Sequence, residues 1–450
     1  MALRVLFWNI QDFGLNKIAN PSTKPQKGAG KKTRAVASAE RKDYVLAHLT
    51  ALDPEPDIVV IVELETTYIE RGRLVTSKAI NAANTLLDAL RGGTDAAGEW
   101  MLVPPLQTGN KEGVMVFYNS TKLALTGPYL WPGGDGGTSS KDADPNDYPA
   151  ELAGWLPAAR VVPDGARFNK GKPERQCAGR VEFSYNKFAG KAQRGKPIVF
   201  ADTARAPYMV TFAELSPDDD SVVTRNITLF AVHSPASYSA GAYLENLAKS
   251  TQFTEDNIGN EVRIIAGDFN VNVMSKPPDF TESARYRPLQ IRNYQLELAP
   301  LAVPPAAPAG YAGYFATHIQ PRTKAVYWST AANTVYYPAY GYSGSDQRAN
   351  FYAIDNIFTR YGSKVVAPDP NNMTVMNGIV GSPYNLHPVP KADTPPGTLV
   401  FPIAMDAAAF QAPPAEGPDD DDGLHTSFRG WLNYGKIRST SDHLALVIDV

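Results

Sequence analysis

Four short strand-like runs, each ending on a polar residue, set the architecture that this chain can adopt. They are residues 3–8 before Asn9, 58–62 before Glu63, 227–232 before His233, and 262–266 before Gly267-Asp268-Phe269-Asn270. The run at 58–62 is wholly apolar and rich in β-branched side chains, the pattern of a strand buried on both faces. Side chains alternate in extended backbone, so Asp268 and Asn270 share a face. A carboxylate and an amide side by side at the mouth of a sheet suit a divalent cation and a phosphate oxygen.

Further strands are expected at 114–118, 198–201, 208–212, 352–358 and 444–450. Helical periodicity marks 35–52, 77–90 and 242–253, with Gly92-Gly93 closing the second helix. Strands outnumber helices, and the helices are separated. That predicts sheets covered by helices and not a doubly wound sheet of regular βα alternation. Neither GxGxxG nor GxxxxGK[ST] follows any strand, which argues against the nucleotide folds. The Gly/Pro-rich stretch 126–196 and the stretch 366–430, which holds Asp419–Asp422, read as insertions. The 450 residues allow two or three average domains, or one large α/β core with such insertions.

The net charge of −3 gives no global basic field. One cysteine, Cys177, excludes an internal disulfide framework and fits a reducing compartment. The first ten residues run straight into a strand pattern, without the layout of a signal peptide. No apolar run approaches the ~20 residues of a transmembrane helix. Together these predict a cytoplasmic protein.

Glu63 at the end of a buried strand costs several kcal/mol unless paired or metal-bound; equally, Glu63 and Glu65 read as the start of a solvated loop. His233 alone reads as a structural strand-end histidine, and Asn9 alone as a turn residue. Asp355, inside the apolar run 353–358, needs a partner. Ser441-Asp442-His443 precedes the closing strand. As a set, Asn9, Glu63, His233, Asp268, Asn270, Asp355, Asp442 and His443 favour a hard cation, Mg²⁺ or Mn²⁺, over zinc. There is no HExxH, no Cys/His cluster and no GxSxG elbow. A metal with two histidines and extra carboxylates suits hydrolysis of a phosphate ester.

Five segments in order, Leu6-Phe7-Trp8-Asn9, Asp57 through Glu63, Gly267-Asp268-Phe269-Asn270, Ile354-Asp355-Asn356-Ile357 and Ser441-Asp442-His443, resemble the endonuclease/exonuclease/phosphatase superfamily, the deoxyribonuclease I-like fold. Lys111-Glu112-Gly113-Val114, Ala204-Arg205-Ala206-Pro207 and Val232-His233-Ser234-Pro235 are most similar to its secreted deoxyribonuclease branch. The resemblance implies an α/β fold, a four-layer αββα sandwich of two packed mixed β-sheets flanked by helices. One catalytic domain would then span 1–450, with loop-rich insertions at about 126–196 and 366–430. Glu63, supported by Asn9 and Asp442, would hold Mg²⁺ or Mn²⁺. Asp268 with His233 or His443 would handle the attacking water; His443 would contact the phosphate or act as base, and His233 would serve as acid to the leaving oxygen. Glu112 would pair with His233 and Asp355 with His443, while Arg205 and Asn270 would bind phosphate oxygens.

The superfamily acts on DNA, RNA, inositol phosphates and sphingomyelin, so the fold does not select among them. The basic segment 24–34 and the deoxyribonuclease-like segments lean toward nucleic acid, DNA before RNA, cut endonucleolytically. Aromatic residues at 311–315 and 336–342 read as packing or as stacking platforms. The alternatives are a phosphatase or phospholipase of the same fold, or an idle scaffold module. The insertions could narrow the cleft or dock a regulatory protein.

Overall fold

A computed structural model describes residues 2–26, 32–50, 52, 54–67, 75–93, 99–127, 187–188, 198–199, 205, 207–236, 240–273, 282–298, 317–318, 326–330, 333–337, 353–368, 373–376 and 439–450. The strands are β1 (Arg4–Phe13), β2 (Ile58–Glu65), β3 (Trp100–Gln107), β4 (Glu112–Asn119), β5 (Leu123–Gly127), β6 (Lys187–Phe188), β7 (Ile198–Val199) and β8 (Tyr208–Leu215). They continue with β9 (Val223–His233), β10 (Glu261–Asp268), β11 (Gln295–Leu296), β12 (Val326–Thr330), β13 (Asn333–Tyr337), β14 (Asp355–Tyr361), β15 (Met373–Met376) and β16 (Ala445–Asp449). The helices are α1 (Leu15–Ile18), α2 (Arg34–Thr50), α3 (Ser77–Gly93), α4 (Ala240–Leu247), α5 (Thr251–Thr254) and α6 (Arg287–Gln290).

Two six-stranded sheets carry the fold, ordered β15-β16-β1-β2-β4-β3 and β11-β14-β10-β9-β8-β5. Each is mixed: β1 with β2 and β9 with β10 are parallel, and the other neighbours are antiparallel. The fold is the α/β sandwich anticipated from the sequence. Every residue of β10 and the first five of β2 are buried, as strands covered on both faces must be. The inner faces form one apolar core, in which Tyr118 of the first sheet meets Phe212 of the second at 5.0 Å between ring centroids. Truncating a core side chain such as Ile61 or Ile265 to alanine costs ~2–5 kcal/mol. Outside the first sheet, Tyr44 of α2 packs edge-on against Trp8 of β1. Outside the second, Phe253 of α5 stacks on Phe230 of β9 at 4.0 Å.

Several boundaries differ from the sequence reading. The helix expected over 242–253 is two helices, α4 and α5, because the amides of Lys249 and Ser250 turn back to Asn246 and Leu247 in tight i→i−3 bonds. The strand expected at 198–201 is the two-residue β7, paired with β6 outside both main sheets. The strand expected at 352–358 begins at Asp355, which therefore opens the strand instead of lying inside it. The insertion expected at 366–430 is shorter at its start, since β15 pairs with β16 at the edge of the first sheet. Likewise β5 holds Thr126 and Gly127 in the second sheet. Apart from β6 and residues 366–368, the rest of both insertions, with Cys177 and Asp419–Asp422, lies outside the described residues, as do residues 311–315. Among the described residues, no helix is long and apolar enough to cross a membrane.

Candidate active site

Strand register assembles the site. On the second sheet Asp268 is the cross-strand partner of both His233 on β9 and Asp355 on β14. Three ionisable residues from three adjacent strands therefore stand at one sheet end. Gly267 permits this closeness: a Cβ there would lie 2.6 Å from the Val232 carbonyl oxygen. On the first sheet Asn9 pairs with Val62, next to Glu63.

Glu63 sits in a β-bulge, where the pairing of β2 with β4 slips between Ile61 and Leu64, and its φ is +63°. Asn270, just past β10, has φ +49°. Such left-handed backbone costs on the order of 1–3 kcal/mol for residues other than glycine and collects at functional sites. The bulge re-aims the Glu63 carboxylate toward the other sheet. The two sheets meet at Asn9, whose Nδ2 donates to Glu63 Oε1 at 3.1 Å and to Asp268 Oδ2 at 3.0 Å.

Two histidine–carboxylate pairs face this centre. His233 Nδ1 lies 2.9 Å from Glu112 Oε2, and His443 Nδ1 donates to Asp355 Oδ2 at 2.8 Å. The opposite nitrogens turn toward Asp268 Oδ2, at 3.5 Å for His233 Nε2 and 3.8 Å for His443 Nε2. His233 Nε2 is also 3.5 Å from Glu63 Oε1. Burial pushes both imidazoles toward the neutral form, but the carboxylates outweigh it. His233 is raised by Glu112, and His443 is raised to about 10, chiefly by Asp355. Burial alone would raise Glu112, yet His233 and Arg205 hold it at about 2. Burial raises Asp355 against the pull of His443.

Arg205, expected on substrate phosphate, directs Nε to Glu112 and Nη1 to the Ser234 carbonyl at 2.9 Å. It thus fixes the Glu112 side of the His233 pair, while Nη2 has no partner among the described residues. Asn270 Nδ2 donates to the same carbonyl at 2.9 Å, and the Asn270 amide donates to Asp268 Oδ1. An amide carries two N–H donors, so Asn270 keeps one for a ligand.

Asp442 joins a different group from Glu63: His318, Asp442 and His443 offer ligand atoms all within 4.8 Å of one another. His318 was not singled out by the sequence reading, nor was Thr317. Thr317 Oγ1 donates to Asp355 Oδ2 at 2.6 Å and accepts the Ile354 and Asp355 amides at 3.1 Å. Nothing in an isolated Thr-His pair marks it. Lys17 was also missed; its half-buried ammonium, lowered to about 8 by desolvation, donates to the carbonyls of Gln11 and Thr440 and ties β1 to the His443 segment.

The residues fit a hard divalent cation. Glu63, His233 and Asp268 converge within 4.8 Å, and the fully buried Asn9 Oδ1 has no hydrogen-bond partner among the described residues. A half-turn of the Asn9 amide would put that oxygen beside Glu63 and Asp268. Three oxygens tolerate such proximity around a cation.

A profile of the Endonuclease/Exonuclease/phosphatase family matches residues 6–375. No curated protein matches the chain. Among solved structures, humanized D. rerio TDP2 is 11% identical, with 100% of this chain and 98% of that one covered and a TM-score of 0.35. The human nocturnin catalytic domain with bound sulfate anion is 11% identical, covering 100% and 93%, with a TM-score of 0.36. The mannosyl-6-phosphatase of Bacteroides thetaiotaomicron is 11% identical, covering 79% and 85%, with a TM-score of 0.34.

Proposed function

The chain belongs to the endonuclease/exonuclease/phosphatase family of phosphoester hydrolases, and on that premise we propose that it is a Mg²⁺- or Mn²⁺-dependent phosphodiesterase that cuts nucleic acid internally, DNA in preference to RNA. The observation that carries this reading is the pair of buried imidazoles, each backed by its own carboxylate, facing one aspartate. A single imidazole moves one proton. Two of them can serve the phosphoryl oxygens and the leaving oxygen of an in-line displacement at phosphorus, with Asp268 between them for the attacking water.

Glu63 and Asn9, beside Asp268, would hold the ion. When bound it supplies positive charge against a non-bridging phosphate oxygen. Asp268 orients the attacking water and takes its proton as the new O–P bond forms. His443, kept protonated by Asp355, presents Nε2 to the phosphoryl oxygens. His233, kept protonated by Glu112, delivers its proton to the leaving oxygen. Arg205 Nη2 and the second Asn270 N–H bind the flanking phosphate. Support for a nucleic-acid chain comes from Lys24, Lys32 and Arg34, although Lys32 also pairs with Glu40. A cytoplasmic location, and a regulatory protein docked on the insertions, belong to the same proposal.

The test is hydrolysis by pure protein with Mg²⁺ of supercoiled plasmid, RNA, an inositol phosphate and sphingomyelin, with His233→Ala as control. Plasmid nicking that His233→Ala abolishes is expected. Turnover of only the small or lipid esters would replace the nuclease reading with a phosphatase or phospholipase. No turnover of any of them would leave the scaffold reading.

A further inference from the structure

Beside the oxygen-rich centre lies a second cluster with different donors. His318 Nε2 is 3.5 Å from Asp442 Oδ2, and His443 Nε2 is 3.7 Å from Asp442 Oδ1. The two imidazole rings stand nearly perpendicular, with centroids 4.8 Å apart. Backbone pairing fixes this: His318 and His443 form an antiparallel bridge, and the Leu444 amide donates to the Thr317 carbonyl at 2.8 Å. Both histidines are buried, while the Asp442 side chain keeps 14% exposure, enough for an ion to enter.

These separations are too long for hydrogen bonds. One ligand atom from each of the three residues lies within 4.8 Å of the others, so a modest side-chain rotation closes the set to the roughly 3.3–3.6 Å edge of a tetrahedron with ~2.0–2.2 Å metal–ligand bonds. The outer relation is also present, because Asp355 takes His443 Nδ1–H and leaves Nε2 facing the cluster, 3.7 Å from Asp442 Oδ1 and 3.8 Å from Asp268 Oδ2. Two imidazole nitrogens and one carboxylate oxygen select Zn²⁺ over Mg²⁺.

We infer that His318, Asp442 and His443 form a second metal site, for Zn²⁺, separate from the oxygen site at Glu63 and Asn9. Three protein ligands leave the fourth position open. Binding displaces the proton that Asp355 keeps on His443. The same His443 Nε2 serves the phosphoryl oxygens in the reaction proposed above and lies 3.8 Å from Asp268 Oδ2, so zinc and substrate phosphate compete for His443.

The protein is titrated calorimetrically with Zn²⁺ in excess Mg²⁺, and X-ray absorption at the zinc edge counts the imidazole ligands. Neither readout depends on hydrolysis, so failure here is distinct from failure of the nuclease reading. One equivalent with two imidazoles is expected. His318→Ala and His318→Gln should weaken binding ~100-fold, whereas His233→Ala should retain it. No binding in excess Mg²⁺, fewer than two imidazoles, or undiminished affinity in a folded His318 variant would overturn the site. If neither His318 variant folds, the ligand count of the parent protein and retention by His233→Ala decide.

Discussion

Replacing Glu112 by Gln tests the electrostatic logic of the site with one isosteric change. The carboxylate lies between His233 and Arg205 and is held at about 2, against an ordinary 4.5. At roughly 1.4 kcal/mol per pH unit, the displacement corresponds to about 3 kcal/mol of stability at neutral pH. The folded value lies below the ordinary one, so this stability is complete above ~4.5 and is lost as pH falls toward ~2. Urea unfolding of both proteins across that range should show a gap of about 3 kcal/mol at neutral pH that narrows below ~4.5. Subtraction cancels the carboxylates common to both. The same change removes the charge that raises His233, so the alkaline limb of the rate profile should move to lower pH. A gap under ~1 kcal/mol, a gap indifferent to pH, or an unmoved alkaline limb would refute the reasoning.

Three further outcomes are expected. Asn9→Ala should raise the Mg²⁺ concentration needed for half-maximal rate ~10–100-fold while the far-ultraviolet circular dichroism is unchanged. Thr317→Val should cost about 1–3 kcal/mol in urea unfolding, because the Ile354 and Asp355 amides lose their acceptor; Thr317→Ser should recover most of it. Lys17→Met should remove one donor from the Gln11 and Thr440 carbonyls, destabilise by about 1–3 kcal/mol, and lower kcat more than it raises KM, as measured by steady-state kinetics.

The strand ends were legible because an ionisable residue in a buried strand is cheapest at a rim. Asn9, Glu63, His233 and Asp268 could be read that way, and they do converge. The bulge at Glu63 was not legible: a positive φ at a glutamate is imposed by neighbouring strands and leaves no mark in composition. Asp355 was read as a strand interior because the apolar residues before it extend the pattern; the strand begins only where β10 offers partners. Arg205 is assigned to substrate phosphate through the resemblance of its segment, whereas its position beside Glu112 depends on a contact across 93 residues. Thr317 and His318 carry no local pattern at all. Their meaning arises from a bridge to a segment over a hundred residues later. The break between α4 and α5 escaped periodicity because the apolar spacing continues through a turn that hydrogen bonding tightens.

The pairing of β16 with β1 bears on when the protein becomes active during its own synthesis. Arg4 and Asp449 are register partners 445 residues apart, and His443 enters on the segment leading into that pairing. Contacts so distant close slowly, because the intervening chain must first surrender its freedom. A nascent chain can gather Asn9, Glu63 and Glu112 early and His233 and Asp268 later, yet its second imidazole arrives only when β16 docks. A chain still being synthesised therefore lacks that imidazole until nearly the whole first sheet is made.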